Sequence, residues 1–585
     1  MGASLAPLAA AAPGASGCAA AAQSVAEDFL QILKSRGVDR LFVGAGTDTA
    51  PLIEAYARAE TSGLAFPQPV VAAHENLAVG MAHGYYMVSG RPQAVMLHVS
   101  VGAANAVCAL MNAARSQVPM LFTAGRTPLF ESGVPGARDH GIHWGQEMFD
   151  QAGMLREIVK WDYELRDGRN VADVVDRGLG IAMAAPRGPV YLTLPREVLA
   201  QQASEAPLAS APAPASAPHP DPAAVDQLAR RLMAAELPAI VCAASGDDPA
   251  TVDMLVALAE RFGICVLESR PRFVNFPDSH ALHGGFDVNR ALAACDALLF
   301  LECDVPWLPH AGQPRPDAYV AHAACDALFS RYPLRSFRSD LTLTTSVKAL
   351  LPALASALEA AGAAAGAVQR GTRCKAWAAQ ARAAAATRAA NDEAGGGPIT
   401  KIFLSRCIDQ VLDERTLIVN EYSAQRDMLT LDRPGTFFSF SSAGGLGWGL
   451  PAALGACMAA GDRTVIAVVG DGAYLFANPA ACHQAAAMHD LPVLTVVFNN
   501  DGWDAVHKST LAMYPGTHAA AHVRAHGATP LSSLHPLPSF ETYVQASGGY
   551  GERVTERSQL IPALRRALQV VRIERRQALL NVIGI

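Results

Sequence analysis

A chain of 585 residues is too long for one hydrophobic core and points to roughly three or four domains. Hydrophobic residues make up 51% and charged residues only 17%, which excludes an extended, solvated chain. A formal net charge of −7, with no dense Lys/Arg run, gives no reason to expect nucleic acid as a partner. The eleven cysteines are scattered without a C-x-x-C pair, which argues against a zinc site or a disulfide framework and fits a reducing compartment.

Residues 1–22 are Ala/Gly/Pro/Ser-rich and carry no charged side chain, so a disordered tail is expected there rather than an export signal. From residue 25 the pattern turns regular. A helix is expected over 25–36 and strands over 40–43, 70–73, 94–98, 120–124 and 190–194, with helices over 75–89 and 104–115. Such alternation predicts a parallel sheet with helices on both faces. The Pro/Ala/Ser-rich stretch 201–222 reads as a linker. A second α/β unit follows, with strands over 238–242, 264–267 and 297–301, closing in an Ala-rich helical region over 347–394. Gly395-Gly396-Gly397-Pro398 punctuates the entry to a third, with strands over 417–420, 464–469, 493–499 and 578–583. The expected architecture is α/β, with three doubly wound parallel-sheet domains at 23–200, 223–394 and 395–585. The longest uncharged apolar stretch, 437–460, is broken by Pro451 and several glycines, unlike a membrane span. We therefore expect a soluble, cytoplasmic protein without a membrane partner.

The third unit carries the most chemistry. Gly470-Asp471-Gly472 sits at the carboxyl end of an apolar strand, where open α/β sheets place their ligands. Glycines let backbone approach an anion, and the Asp471 carboxylate is a hard oxygen ligand suited to Mg²⁺. Alone, this turn is as readily a simple strand ending. A helix over 479–489 and a strand over 491–498 then lead into Asn499-Asn500-Asp501-Gly502, so that two neighbouring strand ends face one crevice. No G-x-G-x-x-G follows a strand here, which disfavours a dinucleotide site.

The pairing of Gly470-Asp471-Gly472 with Asn499-Asn500 resembles the cofactor signature of thiamine diphosphate enzymes. The resemblance implies thiamine diphosphate and Mg²⁺ as cofactors, with Asp471, Asn500 and the Gly502 carbonyl as metal ligands. Ser441 and the residues after it, SSAGGLGWGLPAALGA, are similar to the family segment beneath the cofactor, which places Leu446 between its two rings, beside Gly445. Tyr422 and Ser423 resemble the other diphosphate-side loop. Ala473 and Trp503, next to the two metal loops, belong to the same implied contact set.

In the first unit, VVAAHENLAVGMAHGYYMVSG, residues 70–90, is similar to the family's pyrimidine-binding domain. On its own Glu75 is a helix-starting acid favoured by the macrodipole. The resemblance makes it the acid that activates the cofactor, supplied by one subunit to the diphosphate-binding domain of another. A homodimer or homotetramer with sites at the subunit interface is therefore implied.

LHVSVGAANAVCAL, residues 97–110, resembles the benzoylformate decarboxylase segment that carries an active-site histidine, here His98. Thr47 falls where those enzymes present a hydroxyl to the substrate carboxylate. His310 lies near their second histidine, one residue out of register. Other stretches, HWGQEMFDQAG (143–153) and FSRYPLRSFRSDLTL (329–343), are more similar to acetolactate synthases. Gly145 stands where those enzymes carry an aromatic residue, and the glycine-rich FAD contact is replaced by VCAASG at 241–246, so FAD is not expected. Five histidines within 507–538 are expected to lie in a loop-rich lid over the substrate pocket rather than in a second metal site.

The activity implied is a 2-oxoacid decarboxylase or carboligase: ylid attack on a 2-keto carbon, loss of CO₂, then protonation or ligation of the enamine, with His98 and His310 relaying protons. The alternatives are a C–C lyase acting on a 2-hydroxyacyl thioester or acyloin, an acetolactate synthase-like transferase, a flavin-dependent oxidase, and a non-catalytic paralogue. Retention of Glu75, Asp471 and Asn500 disfavours the last.

Overall fold

The computed structural model describes residues 22–204, 210–362, 366–440 and 442–585. The expected disordered tail, 1–22, therefore lies outside the described residues except for Ala22.

Three all-parallel sheets follow one another along the chain. The N-terminal sheet contains β1 (Arg40–Val43), β2 (Gln68–Val71), β3 (Gln93–Leu97), β4 (Met120–Arg126), β5 (Asp162–Glu164) and β6 (Pro189–Pro195), in the order β2-β1-β3-β4-β6-β5. The central sheet contains β7 (Pro238–Cys242), β8 (Cys265–Glu268), β9 (Ala297–Leu301), β10 (Tyr319–Ala324) and β11 (Leu341–Thr344), ordered β11-β10-β9-β7-β8. The C-terminal sheet contains β12 (Thr416–Glu421), β13 (Phe437–Ser439), β14 (Thr464–Gly470), β15 (Val493–Asn499), β16 (Tyr550–Val554) and β17 (Ala578–Ile583), ordered β13-β12-β14-β15-β17-β16. The first and third sheets thus share one topology. Their inner strands, such as QAVML in β3 and VLTVVFN in β15, are buried at every position, as helices on both faces require.

In each of these two sheets the winding reverses between the first strand and its inner neighbour: β1 and β3 in one, β12 and β14 in the other. The chain must leave those two strand ends in opposite directions, which opens a crevice at their carboxyl ends. Both halves of the candidate site lie in such crevices.

The two outer domains are locked together by the helices Glu75–Ser89 and Gly449–Ala459. A Cβ on Gly84 would fall 1.8 Å from the Ala452 carbonyl oxygen, and one on Gly455 the same distance from that of Met81. Only glycine permits so close an approach of two helix backbones. The central domain is tied to the C-terminal one by Arg426, which pairs with Asp278 at 2.5 Å and Glu268 at 3.2 Å.

Two local expectations change. The helix expected over 104–115 is two helices, Val99–Asn105 and Val107–Arg115, stepped at Ala106. The histidine-rich stretch 507–538 is about half helical rather than loop throughout: Asp504–Met513 and His518–His526 are helices with no buried residue, and 527–538 is irregular.

Candidate active site

In the C-terminal crevice, β14 ends in Gly470 and a short helix, Asp471–Phe476, starts immediately. Asp471 is only 3% exposed. One of its oxygens accepts from the Gly472 N–H at 2.7 Å, the other from the Gly502 N–H at 3.1 Å. The sequence-distant turns 470–472 and 499–502 are thus brought together at adjacent strand ends. Burial pushes the Asp471 carboxyl above the ordinary carboxylate range, against the pull of the backbone donors of Gly472 and Gly502. No Lys, Arg or His neutralises it among the described residues.

Asn499 turns inward, donating to Asn581 and accepting from the Asp501 N–H at 3.1 Å, so it shapes the loop. Asn500 is half-buried beside it. Asp501, at φ +62, takes the left-handed turn that reverses the chain. The Gly502 carbonyl accepts from the Asp504 N–H at 3.1 Å and keeps a second lone pair. Trp503 lies against Gly472, where a Cβ would come within 2.1 Å of the indole, and meets the Phe476 ring edge-on at 5.5 Å.

Across the crevice, β12 delivers Glu421, Tyr422 and Ser423. Tyr422, at φ +68, is strained for a non-glycine residue, and its ring packs on Phe440. Ser423 is buried beside Gly470, and its hydroxyl has no hydrogen-bond partner among the described residues. Glu421 is fully buried and holds the glycine turn that carries Leu446: its two oxygens accept from the Gly447 N–H at 2.9 Å and the Gly449 N–H at 2.6 Å. Burial pushes its carboxyl up to about 7, opposed by those same backbone donors. From the N-terminal domain, Asn112 clasps the turn on its other side, donating to the Gly445 carbonyl at 2.7 Å and accepting from its N–H at 3.1 Å. Leu446 is thereby fixed, half-buried against the core.

In the N-terminal crevice, His74 caps the helix Glu75–Ser89, and Glu75 is its first residue. Glu75 accepts from the Asn105 amide at 2.6 Å. Within this chain its hydrogen bonding, among the described residues, stays in the N-terminal domain. His98, at the end of β3, pairs through Nδ1 with Asp48 Oδ1 at 2.6 Å, and its Nε2 lies 3.4 Å from the Gln146 amide nitrogen. The Asp48 hydrogen bond raises the His98 pKa; burial opposes this, and the Asp48 and Glu75 charges add to it. Thr47 opens the 3₁₀ turn Thr47–Thr49 and is exposed. His310 is exposed on a turn after β9 and makes no hydrogen bond with another site residue among those described.

Sequence reasoning named the C-terminal residues, Glu75 and His98, and met Glu421 only as part of the loop 420–423; it missed Asp48, Asn112 and the partnering of Gln146 with His98. Only Glu421 had a local signal: an acid at the end of an apolar strand with glycine-rich chain downstream. The histidine-rich stretch forms no metal-holding group. The His/carboxylate groups with ligand spacing, among the described residues, are Asp139–His140–His143 and Glu268–Asp278–His283.

Comparison with known proteins places this pair of half-sites in a defined class. Residues 23–154 match the thiamine pyrophosphate enzyme N-terminal TPP binding domain, and residues 421–582 the C-terminal TPP binding domain. The chain belongs to the thiamine pyrophosphate enzyme family. Its similarities within that family spread over several activities. It is 27% identical over 508 residues to benzoylformate decarboxylase of Pseudomonas aeruginosa, covering 81% of this chain and 86% of that protein. It is 27% identical over 584 residues to sulfoacetaldehyde acetyltransferase of Rhodobacter capsulatus, covering 93% and 91%. It is 24% identical over 515 residues to the acetolactate synthase large subunit of Lactococcus lactis, covering 83% and 82%. In fold it matches the thiamine diphosphate-dependent 4-hydroxybenzoylformate decarboxylase of Rhodococcus jostii RHA1, with a TM-score of 0.75 at 22% identity, over 96% of this chain and 99% of that one. No helix among the described residues is long and apolar enough to cross a membrane.

Proposed function

We propose that the protein is a thiamine diphosphate- and Mg²⁺-dependent decarboxylase or carboligase of 2-oxoacids. The observation that carries the metal part of this reading is Asp471. A buried carboxylate without a neutralising side chain is costly, and at the ends of two parallel strands it is the natural ligand of a hard cation. Asn500 and the Gly502 carbonyl would complete the protein's share of the ligands. The Ser423 hydroxyl, buried beside Gly470 and without a partner among the described residues, fits a diphosphate between the metal and β12. Bound there, the cofactor supplies a nucleophilic carbon and an electron sink for the bond beside a carbonyl.

The chain's own groups supply the rest. Leu446, held by Glu421 and Asn112, gives the cofactor a fixed apolar support. Glu75 holds and shares the activating proton. His98 presents Nε2 as acid and base, and Thr47 offers a hydroxyl to the substrate carboxylate. His310 would join them only through movement of its exposed turn.

Because Glu75 bonds within its own N-terminal domain, we propose that it serves the Asp471 site of a second copy, in a homodimer or a tetramer of dimers. Large apolar side chains flank both halves and remain exposed in one chain: Val101, Trp144 and Phe149 on one side, Tyr422 and Phe476 on the other.

The test is to incubate the protein with thiamine diphosphate, Mg²⁺ and a panel of aromatic, branched and short 2-oxoacids, measuring CO₂ and carbonyl products together. CO₂ released with an aldehyde or an acyloin is expected. No CO₂ from any acid overturns the proposal and shifts the assignment to cleavage of a 2-hydroxyacyl thioester or acyloin. Release of CO₂ with quantitative transfer to an added acceptor would favour the transferase reading, which the acetyltransferase and synthase relatives support.

A further inference from the structure

The N-terminal crevice contains a feature that binding a cofactor does not call for. Asp48 is buried at 2% exposure, and both of its oxygens are engaged: Oδ1 with His98 Nδ1 at 2.6 Å, Oδ2 accepting from the Val99 N–H at 3.1 Å. The backbone gives way on both sides of this pair. A Cβ on Gly46 would fall 2.0 Å from His98 Nδ1, and one on Gly125 would fall 1.8 Å from Asp48 Oδ2. Gly46 has φ −135 and Gly125 lies within β4, so any residue could adopt either backbone conformation. Both positions need glycine for space alone, and the space belongs to the Asp48–His98 pair. Val99, a β-branched residue, is held at φ +34 directly after His98, and its N–H is the one Asp48 accepts.

We infer that Asp48 is a positioning residue that fixes the orientation and tautomer of His98, so that Nε2 alone faces the reacting groups. This rests on the decarboxylase/carboligase reading of the site. With Nδ1–H given to Asp48, the neutral ring accepts at Nε2, and the Gln146 amide nitrogen, 3.4 Å away, is placed to donate. When the ring takes up a proton, Nε2 becomes a donor, and a flip of the Gln146 amide brings Oε1 to face it. That oxygen is otherwise buried without a partner. Gln146 is itself held by Ser100, whose hydroxyl donates to its carbonyl at 2.9 Å. The charged groups whose fields reach His98 are Asp48 and Glu75, both favouring the protonated ring. The pair therefore keeps a proton on His98 to higher pH than an isolated imidazole would and delivers it along one direction. Acid–base partnership of this kind depends on a carboxylate behind the histidine.

The experiment uses protein labelled with ¹³C and ¹⁵N in histidine, with the His98 signals assigned by their loss in His98→Ala. In the unsubstituted protein a titration midpoint above the ordinary histidine value of about 6.5 and a protonated Nδ1 in the neutral form are expected. A midpoint at or below that value, or a neutral ring protonated at Nε2, overturns the inference. Asp48→Asn preserves shape and removes charge. Its His98 midpoint is expected to fall by about one pH unit or more, and the limb of the pH–rate profile that disappears in His98→Ala should move with it. An unmoved midpoint overturns the inference while turnover continues. A midpoint that moves while the rate ignores both substitutions overturns the role in turnover. If the unsubstituted protein turns over no 2-oxoacid, the functional reading fails by itself, and the titration still decides whether Asp48 governs the ring.

Discussion

The two crevices occupy the same topological position in sheets of the same strand order, yet they are filled in opposite ways. At the β1/β3 reversal the chain completes its own chemistry: the Asp48 charge meets the His98 ring, and both are held by hydrogen bonds. At the β12/β14 reversal it leaves the chemistry open, with Asp471 buried and unneutralised and the Ser423 hydroxyl without a partner. Buried polar groups are normally satisfied, and a bound ligand would account for the Ser423 exception. On the proposed function, the comparison separates the half of the site that would order protons from the half that would bind a ligand.

Several substitutions break or sharpen this contrast. Glu75→Ala acts on the proton-handling half. It is expected to lower turnover by about 10²- to 10⁴-fold while cofactor titration, read by quenching of tryptophan fluorescence, changes little; near-normal turnover would remove Glu75 from its role. Asp471→Asn acts on the waiting half. Cofactor affinity should fall by more than about 100-fold, while the melting temperature of the cofactor-free protein should change little, because relief of a buried charge is offset by the loss of an acceptor for one backbone N–H. A lower melting point without cofactor would mean that Asp471 is already satisfied.

Glu421 gives a pH-dependent test. Its folded pKa, about 7, lies above that of an unfolded glutamate. Its contribution to stability is therefore fully present below the unfolded value and is lost as pH rises towards the folded one. Between about pH 4.5 and 7 the cofactor-free protein should lose up to roughly 3 kcal/mol from this group, measured by urea unfolding. In Glu421→Gln that part of the slope should vanish, and a slope left intact would assign it to other groups. The smallest effect is expected from Ser423→Ala. Losing a hydroxyl without a partner should leave the cofactor-free melting point within error, while cofactor binding weakens by about 1 kcal/mol.

Much of the fold was legible. Apolar runs such as those of β14 and β15 are long and bounded by clear turns, and their order follows from the alternation with helices. The edge strands β5, β11, β13 and β16 were not, and neither was the inner β10: β5, β11 and β16 have few buried positions, β13 is only three residues long, and β10 (YVAHAA) is small-residue chain interrupted by His322. The step at Ala106 was hidden because Ala106 keeps right-handed helical dihedrals between the two helices and no local pattern announces the break. The helices at 504–513 and 518–526 lack a buried face, so the periodicity that reveals most helices is missing. For the site, residues tied to contiguous motifs were found, whereas Asp48 and Asn112 were not: each owes its role to a partner that is distant in sequence and fixed by the winding of the sheet.

The glycine seam between the helices Glu75–Ser89 and Gly449–Ala459 has a mechanical meaning. Where a single methyl group would collide with a carbonyl oxygen at 1.8 Å on both sides, there is no slack for one helix to slide or roll over the other. The outer domains of one chain therefore behave as a welded frame, and the N-terminal crevice is carried rigidly with the C-terminal one. Movement relative to that frame falls to pieces outside the weld, such as the unburied helices 504–513 and 518–526, which follow the 499–502 turn.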